Sequence, residues 1–256
     1  MDILSHNRSA WDALVAKRSR WTVPVGPEVI AATRRGEWGV ILTPTKAVPS
    51  EWFGPLAGRD VLALASGGGQ QVPVLAAAGA RVTSFELSPA QLAQDRLVAE
   101  REGLAITDEL GDMRDLSRFA DASFDLVFHP AANSFVPDVR PVWNEAFRVL
   151  RSGGRLMSGI VQPALYLFDD DDIERGEFVA RYPLPYSDLD VRTPEQIEAM
   201  RVAGEPLAFG HTLEQQIGGQ LAAGFRIIGF YEDRWPEHPV DRFIASLFAT
   251  LAEKPA

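Results

Sequence analysis

Three consecutive glycines, Gly67-Gly68-Gly69, stand between an apolar run and a helical pattern, and Glu86 follows nineteen positions after the first of them. Glycine at such a turn tolerates positive φ and lets a ligand approach the backbone where any Cβ would block it. A carboxylate at the tip of the neighbouring strand can accept hydrogen bonds from two ribose hydroxyls. Together these residues describe a nucleoside site. A second chemical signal is His129, which follows directly on the run Phe124-Asp-Leu-Val-Phe128. Ligands bind at the carboxyl ends of parallel strands, and histidine is the side chain best matched to moving a proton near neutral pH. His129 is therefore the expected general base. His211, at a helix start before Thr212, is a second candidate, and Asn133 is a candidate hydrogen-bond donor to a substrate.

The elements that must position these groups alternate between short β-branched runs and helical patterns, which argues for βαβ units and a parallel sheet. Asp60 to Ala65 is a first strand, Arg81 to Glu86 a second, Ala105 to Leu110 a third, Phe124 to Phe128 a fourth and Arg155 to Val161 a fifth. A helix is expected near Gln70 to Ala78, with Pro73 in its first turn, and another from Ser88-Pro89 to Glu102, where serine caps and proline opens the helix. Leu92, Leu97 and Val98 are expected on the inner face of that second helix. A helix from about Val139 to Leu150 is expected to stop at Gly153-Gly154. Residues 162–206 break the rhythm with five prolines, the run Asp169 to Asp172 and one helix capped by Thr193-Pro194. They read as an insertion on the substrate side. The alternation resumes with a helix near Thr212 to Ala223, a strand from Phe225 to Tyr231, a short connector, and a strand from Leu247 to Glu253. The whole chain is expected to form one domain, with residues 1–55 as a helical lid segment, 60–160 as the cofactor-binding core and 207–256 completing the sheet.

Composition narrows the chemistry further. Among 256 residues 46% are hydrophobic, which suffices for a full core, and no apolar run approaches the roughly 20 residues of a membrane helix. The first residues lack a signal-peptide layout, so a cytoplasmic location is expected. A formal net charge of −10 with no basic run opposes nucleic-acid binding. The absence of cysteine removes thiolate zinc sites, a thiol nucleophile and thiolate-held iron–sulfur clusters, and no metal is expected. A nicotinamide dinucleotide is the rival ligand, yet Val72 stands where its fingerprint requires a third glycine.

These motifs resemble the class I S-adenosylmethionine-dependent methyltransferases over about Asp60 to Met157. The likeness is closer to a bacterial subset marked by LASGGGQQ (Leu64 to Gln71), FHPAANSFVPDV (Phe128 to Val139) and FGHTLEQQIGGQ (Phe209 to Gln220). The resemblance implies a Rossmann-like α/β fold, a seven-stranded sheet in the order 3-2-1-4-5-7-6 with strand 7 antiparallel and helices on both faces. It implies S-adenosylmethionine as cofactor and a small-molecule acceptor, with oligomeric state left open. Carried over by position, Ala65, Ser66, Gly67 and Gly69 lie beside the methionyl and ribose parts, and Glu86 is the ribose acid. Leu87 packs on adenine, Asp112 and Met113 meet its amine and ring, and His129 to Asn133 face the reactive methyl. Ala63 departs from the pattern, because the family usually places an acidic residue there to support the methionyl amine. Gln70, Gln71 and Asn7 are the candidate replacements. That departure also motivates an alternative, a noncatalytic binder of the same cofactor.

The remaining features have plainer readings beside the chemical ones. The acidic run could hold a cation or simply be solvated, and Trp11, Trp21, Trp38 and Trp52 with Phe53 could form an aromatic lid or pack a helical segment. Lys46 could pair with a carboxylate or lie exposed. His6 and His238 fall in segments that the pattern does not place.

Overall fold

A computed structural model describes residues 2–236 and 238–256. Helix α1 (Ile3–Ala16) and α2 (Pro27–Arg34) precede a short α3 (Ser50–Phe53). The sheet then builds through β1 (Asp60–Leu64), α4 (Gln71–Ala77), β2 (Arg81–Glu86), α5 (Pro89–Glu102), β3 (Ile106–Leu110), β4 (Phe124–His129), α6 (Arg140–Val149) and β5 (Leu150–Val161). The segment after β5 carries α7 (Asp170–Glu174), α8 (Asp188–Val191) and α9 (Pro194–Ala203), and a two-residue ladder pairs Tyr186–Ser187 with Phe209–Gly210. A π-helical turn, Glu214–Gly218, leads into α10 (Gly219–Ala223), then β6 (Arg226–Asp233) and β7 (Leu247–Glu253) close the sheet. Its order is β3-β2-β1-β4-β5-β7-β6, with β7 antiparallel to both neighbours. The anticipated topology and the bounds of the last strand are as read from the sequence.

Strand alternation explains why two cores flank this sheet. Along β1, Val61 and Ala63 pack into one apolar cluster with α4, whereas Leu62 and Leu64 pack into the other with α6. The chain reverses its direction of travel across the sheet between β1 and β4, which opens a crevice at their carboxyl ends. Two expectations are corrected here. Leu97 is 53% exposed and lies on the outer face of α5, while Leu92 and Val98 are buried. Helix α6 does not end at the glycines: Leu150 is already extended, and Gly153 and Gly154 lie inside the irregular start of β5, where the pairing with β4 shifts register. Among the described residues no helix is long and apolar enough to cross a membrane.

Candidate functional site

A cavity of about 730 Å³ opens at the β1/β4 crevice, within the range of small-molecule sites. Ala65, Ser66, Gly67, Gln70 and Gln71 line it from the first loop, Glu86 and Leu87 from the end of β2, and Asp112 and Met113 from the end of β3. Ala65 takes φ +50°, an unusual conformation for a side chain larger than glycine, and turns the chain sharply out of β1. Gly69 does not line the cavity. Its φ is +76°, and a Cβ there would lie 2.7 Å from Pro24 Cβ and 2.9 Å from the Gln94 carbonyl. Glycine at this position lets the segment before α2 lie across the loop, and the Gly69 carbonyl accepts the Val25 N–H at 2.8 Å.

Glu86 is 5% exposed and is oriented by three main-chain donors. Its Oε1 accepts from the N–H groups of Leu87 (2.7 Å) and Ser88 (3.1 Å), and its Oε2 from Gly67 (3.3 Å). Burial pushes its pKa above the usual carboxylate value, while these donors oppose the shift. Ser66 Oγ and Gln91 Oε1 line the same space, buried and without a partner among the described residues. Asp112 has both oxygens engaged by Arg114, at 2.7 and 3.1 Å. Asp12 of α1 accepts from Ser88 Oγ (2.5 Å) and from the Ala90 N–H (3.2 Å), which fixes α1 against the start of α5.

Asp95 was not among the expected site residues, though a polar side chain one turn beyond Gln91, on the helix face that also carries Leu92 and Val98, was a readable signal. It is fully buried and accepts from the Gly69 N–H (2.7 Å) and Ser84 Oγ (2.7 Å). Burial pushes its pKa up to about 8, against those two hydrogen bonds. Because the folded state binds this proton more tightly than the unfolded one, the stabilisation it gives is complete at low pH. It is lost as pH rises through about 8. The melting temperature of the ligand-free protein is expected to fall between pH 5 and 8, and Asp95→Asn is expected to flatten that slope. An equal slope in the variant would clear Asp95 of this role.

The histidines occupy other positions than expected. His129 is 0% exposed and does not line the cavity, because it shares the face of β4 that carries Val127 and points toward Trp143 of α6. Its Nδ1 donates to the Leu64 carbonyl (2.9 Å), and its Nε2 lies 2.7 Å from the Asn133 side chain. Burial pushes its pKa down. With both nitrogens engaged and no path to the cavity, it is not placed to take a proton from an acceptor. Asn133 is likewise buried off the cavity, bonded through its side chain to Gln216 (3.0 Å). His211, also outside the lining, donates from Nε2 to the Asn133 carbonyl at 3.1 Å. The three sequence motifs thus converge on one buried chain of hydrogen bonds running Leu64, His129, Asn133, Gln216. Gln220 extends it from the Gln216 carbonyl (3.2 Å) to Thr250 Oγ1 on β7 (3.1 Å). What this chain holds still is the loop after β4, whose Pro130, Ala131, Ala132, Ser134 and Phe135 do line the cavity.

The remaining candidate residues are placed by their own bonds. Asn7 reaches the lining, but its amide is fully engaged by the Phe135 carbonyl and by the carbonyl and N–H of Leu207. Gln70 Nε2 donates to the Arg20 and Val23 carbonyls, and Gln71 Oε1 accepts the Ile41 N–H. Gln70 Oε1 and Gln71 Nε2 are left without a bond to another described residue. Lys46 donates to the Glu232 carbonyl, outside the lining. Trp11 and Trp21 line the cavity, whereas Trp38, Trp52 and Phe53 belong to the core on the α4 side. Asp172 is clamped between Arg175 and Arg181, and Asp169 caps α7 and accepts from Tyr182 Oη (2.7 Å). Among the described residues no cluster of three or more His, Asp or Glu is arranged to hold a metal. His238, unplaced by the sequence, does line the cavity, and its Nδ1 accepts the Val240 N–H at 3.3 Å.

A methyltransferase domain model matches residues 62–158, which span β1 to β5. An uncharacterized methyltransferase of Bacillus subtilis, YbaJ, is 46% identical over 252 residues, covering 98% of each chain. The chain belongs to the class I methyltransferase family. A ubiquinone biosynthesis O-methyltransferase of Xylella fastidiosa is 27% identical over 164 residues, 64% of this chain and 63% of its own length. In fold, the chain is similar to a crystal structure of an S-adenosylmethionine-dependent methyltransferase from Mesorhizobium loti, with a TM-score of 0.60 and 20% identity over 79% of this chain and 94% of that one.

Proposed function

We propose that this methyltransferase moves the methyl group of S-adenosylmethionine to a small-molecule acceptor in the cytoplasm. The observation that carries this is one continuous cavity that begins at Glu86, passes Ser66 and the loop after β4, and ends among residues of the segment after β5. When bound, the cofactor supplies an electrophilic methyl on a sulfonium. The residues fit its parts. Glu86, its oxygens already aimed by three N–H groups, accepts the ribose hydroxyls, with the unpartnered Gln91 Oε1 beside it. Leu87 and Met113 give adenine apolar walls, and Gln70 Oε1 and Gln71 Nε2 are the acceptor and donor for the methionyl ammonium and carboxylate in place of an acid at Ala63. In-line displacement needs nucleophile, carbon and sulfur held collinear, so the loop Pro130 to Phe135 contributes by positioning. The Xylella relative is named for ubiquinone biosynthesis, which favours a small molecule over a macromolecule.

Incubation with methyl-labelled cofactor and a metabolite extract is expected to yield a newly labelled small molecule by mass spectrometry. Tight binding of S-adenosylhomocysteine with no product from any extract would favour the noncatalytic binder, and a thermal shift with NAD alone would overturn the reading. Gly210 offers a sharper probe of the acceptor side. A Cβ there would lie 2.4 Å from the Tyr166 ring, which lines the cavity. Gly210→Ala is expected to displace that ring and raise the acceptor KM about tenfold or more, a loss of roughly 1.4 kcal/mol, with cofactor affinity unchanged. An unaltered KM would show that Tyr166 is not part of the acceptor pocket.

A further inference from the structure

The far half of the cavity has a distinct chemical character. Tyr166, Tyr186 and Tyr182 form a contiguous aromatic wall, with ring centroids 5.4 and 5.5 Å apart, and all three line the cavity. Trp11 and Phe135, 5.0 Å apart, contribute a second aromatic pair from α1 and the loop after β4. The wall is anchored: Tyr182 Oη donates to Asp169 and Tyr186 Oη to Asp188, each at 2.7 Å. Rings held in this way present fixed apolar faces suited to a flat partner.

The charges in this half are nearly all of one sign. Asp169, Asp170, Asp188 and Glu205 line it, and among the described residues Arg192 is the sole arginine in the lining, which holds no lysine. Arg192 is already committed, donating to Asp188 Oδ1 at 2.7 Å and lying 3.8 Å from Asp170. His238 also lines the space, and burial lowers its pKa while Asp170 and Asp241 raise it, which leaves it a weak source of positive charge. An acid group entering here would lose hydration, meet several carboxylates and find no unpaired guanidinium or ammonium. The net charge of −10 adds long-range repulsion.

Resting on the methyl-transfer reading above, we infer that the acceptor is a flat, apolar molecule carrying no carboxylate, phosphate or sulfate group. The test uses the full chain and three probes that share one two-ring body: 2-naphthol, 2-naphthylmethylamine and 2-naphthoate. S-adenosylhomocysteine binding is measured first by calorimetry, and its failure would count against methyl transfer, separately from the acceptor class. Each probe is then titrated into the protein saturated with that nucleoside. The neutral and cationic probes are expected to bind at least tenfold more tightly than the carboxylate. Equal or tighter binding of 2-naphthoate would overturn the inference, as would failure of all three probes on protein that binds S-adenosylhomocysteine normally.

Discussion

Glu86→Gln is expected to weaken S-adenosylhomocysteine binding by about a hundredfold or more. Each hydrogen bond from a ribose hydroxyl to an ionised carboxylate contributes roughly 1.5–3 kcal/mol, and every 1.4 kcal/mol is about tenfold in affinity. The carboxamide also turns an NH2 group toward N–H donors that now point at carboxylate oxygen, so the substitution disturbs the loop as well as the charge. Calorimetry reads the change directly, and affinity within threefold of the native protein would remove Glu86 from the ribose contact. Glu109→Gln, on the more exposed β3, is the matched control and is expected to change nothing. Because burial raises the Glu86 pKa, cofactor affinity should fall on acidification at a higher pH than an exposed glutamate would dictate.

His129→Ala is expected to lower kcat by about a hundredfold while leaving cofactor affinity within a few-fold, because a displacement of about 1 Å in the loop after β4 is enough to misplace the acceptor. The informative measurement is the pH dependence of kcat. A positioning histidine leaves the shape of the profile intact, whereas loss of a general base removes its acidic limb. Asn133→Leu should reproduce the defect, and the double variant should be little worse than either alone, since both changes break one hydrogen-bonded unit. An altered profile in His129→Ala would restore the histidine to direct proton transfer. Stability should also drop, by about 1–3 kcal/mol, as the Leu64 carbonyl loses its buried donor.

The fold was legible because its signals are local and repeated. Apolar runs marked five strands to within a few residues, Ser88 accepts from the Gln91 N–H as a cap should, and Thr193 closes a capping box with Gln196. The spacing of Gly67 and Glu86 anticipated that both would line one cavity at the crevice. What misled was direction. Placing His129 at the end of β4 was right, yet alternation from Val127 turns its ring into the α6 layer, a cue present in the sequence and outweighed by the chemistry expected of histidine. Leu97 failed for a related reason, since hydrophobicity alone does not fix which side of a helix faces inward. The tyrosine wall and His238 had no readable pattern. They sit in irregular segments whose placement depends on bonds between distant residues, such as the Ala208 N–H donating to Asp188 and the pairing of Tyr186 with Gly210.

The buried link between Asn133 and Gln216 joins stretches 83 residues apart, and two carboxamides facing each other accept few substitutes. Drift at either position alone would strand a polar group in the protein interior, so divergent copies of this enzyme should exchange the pair together. Paired replacement at those two columns would trace how far through evolution the cavity-lining loop after β4 has kept its shape.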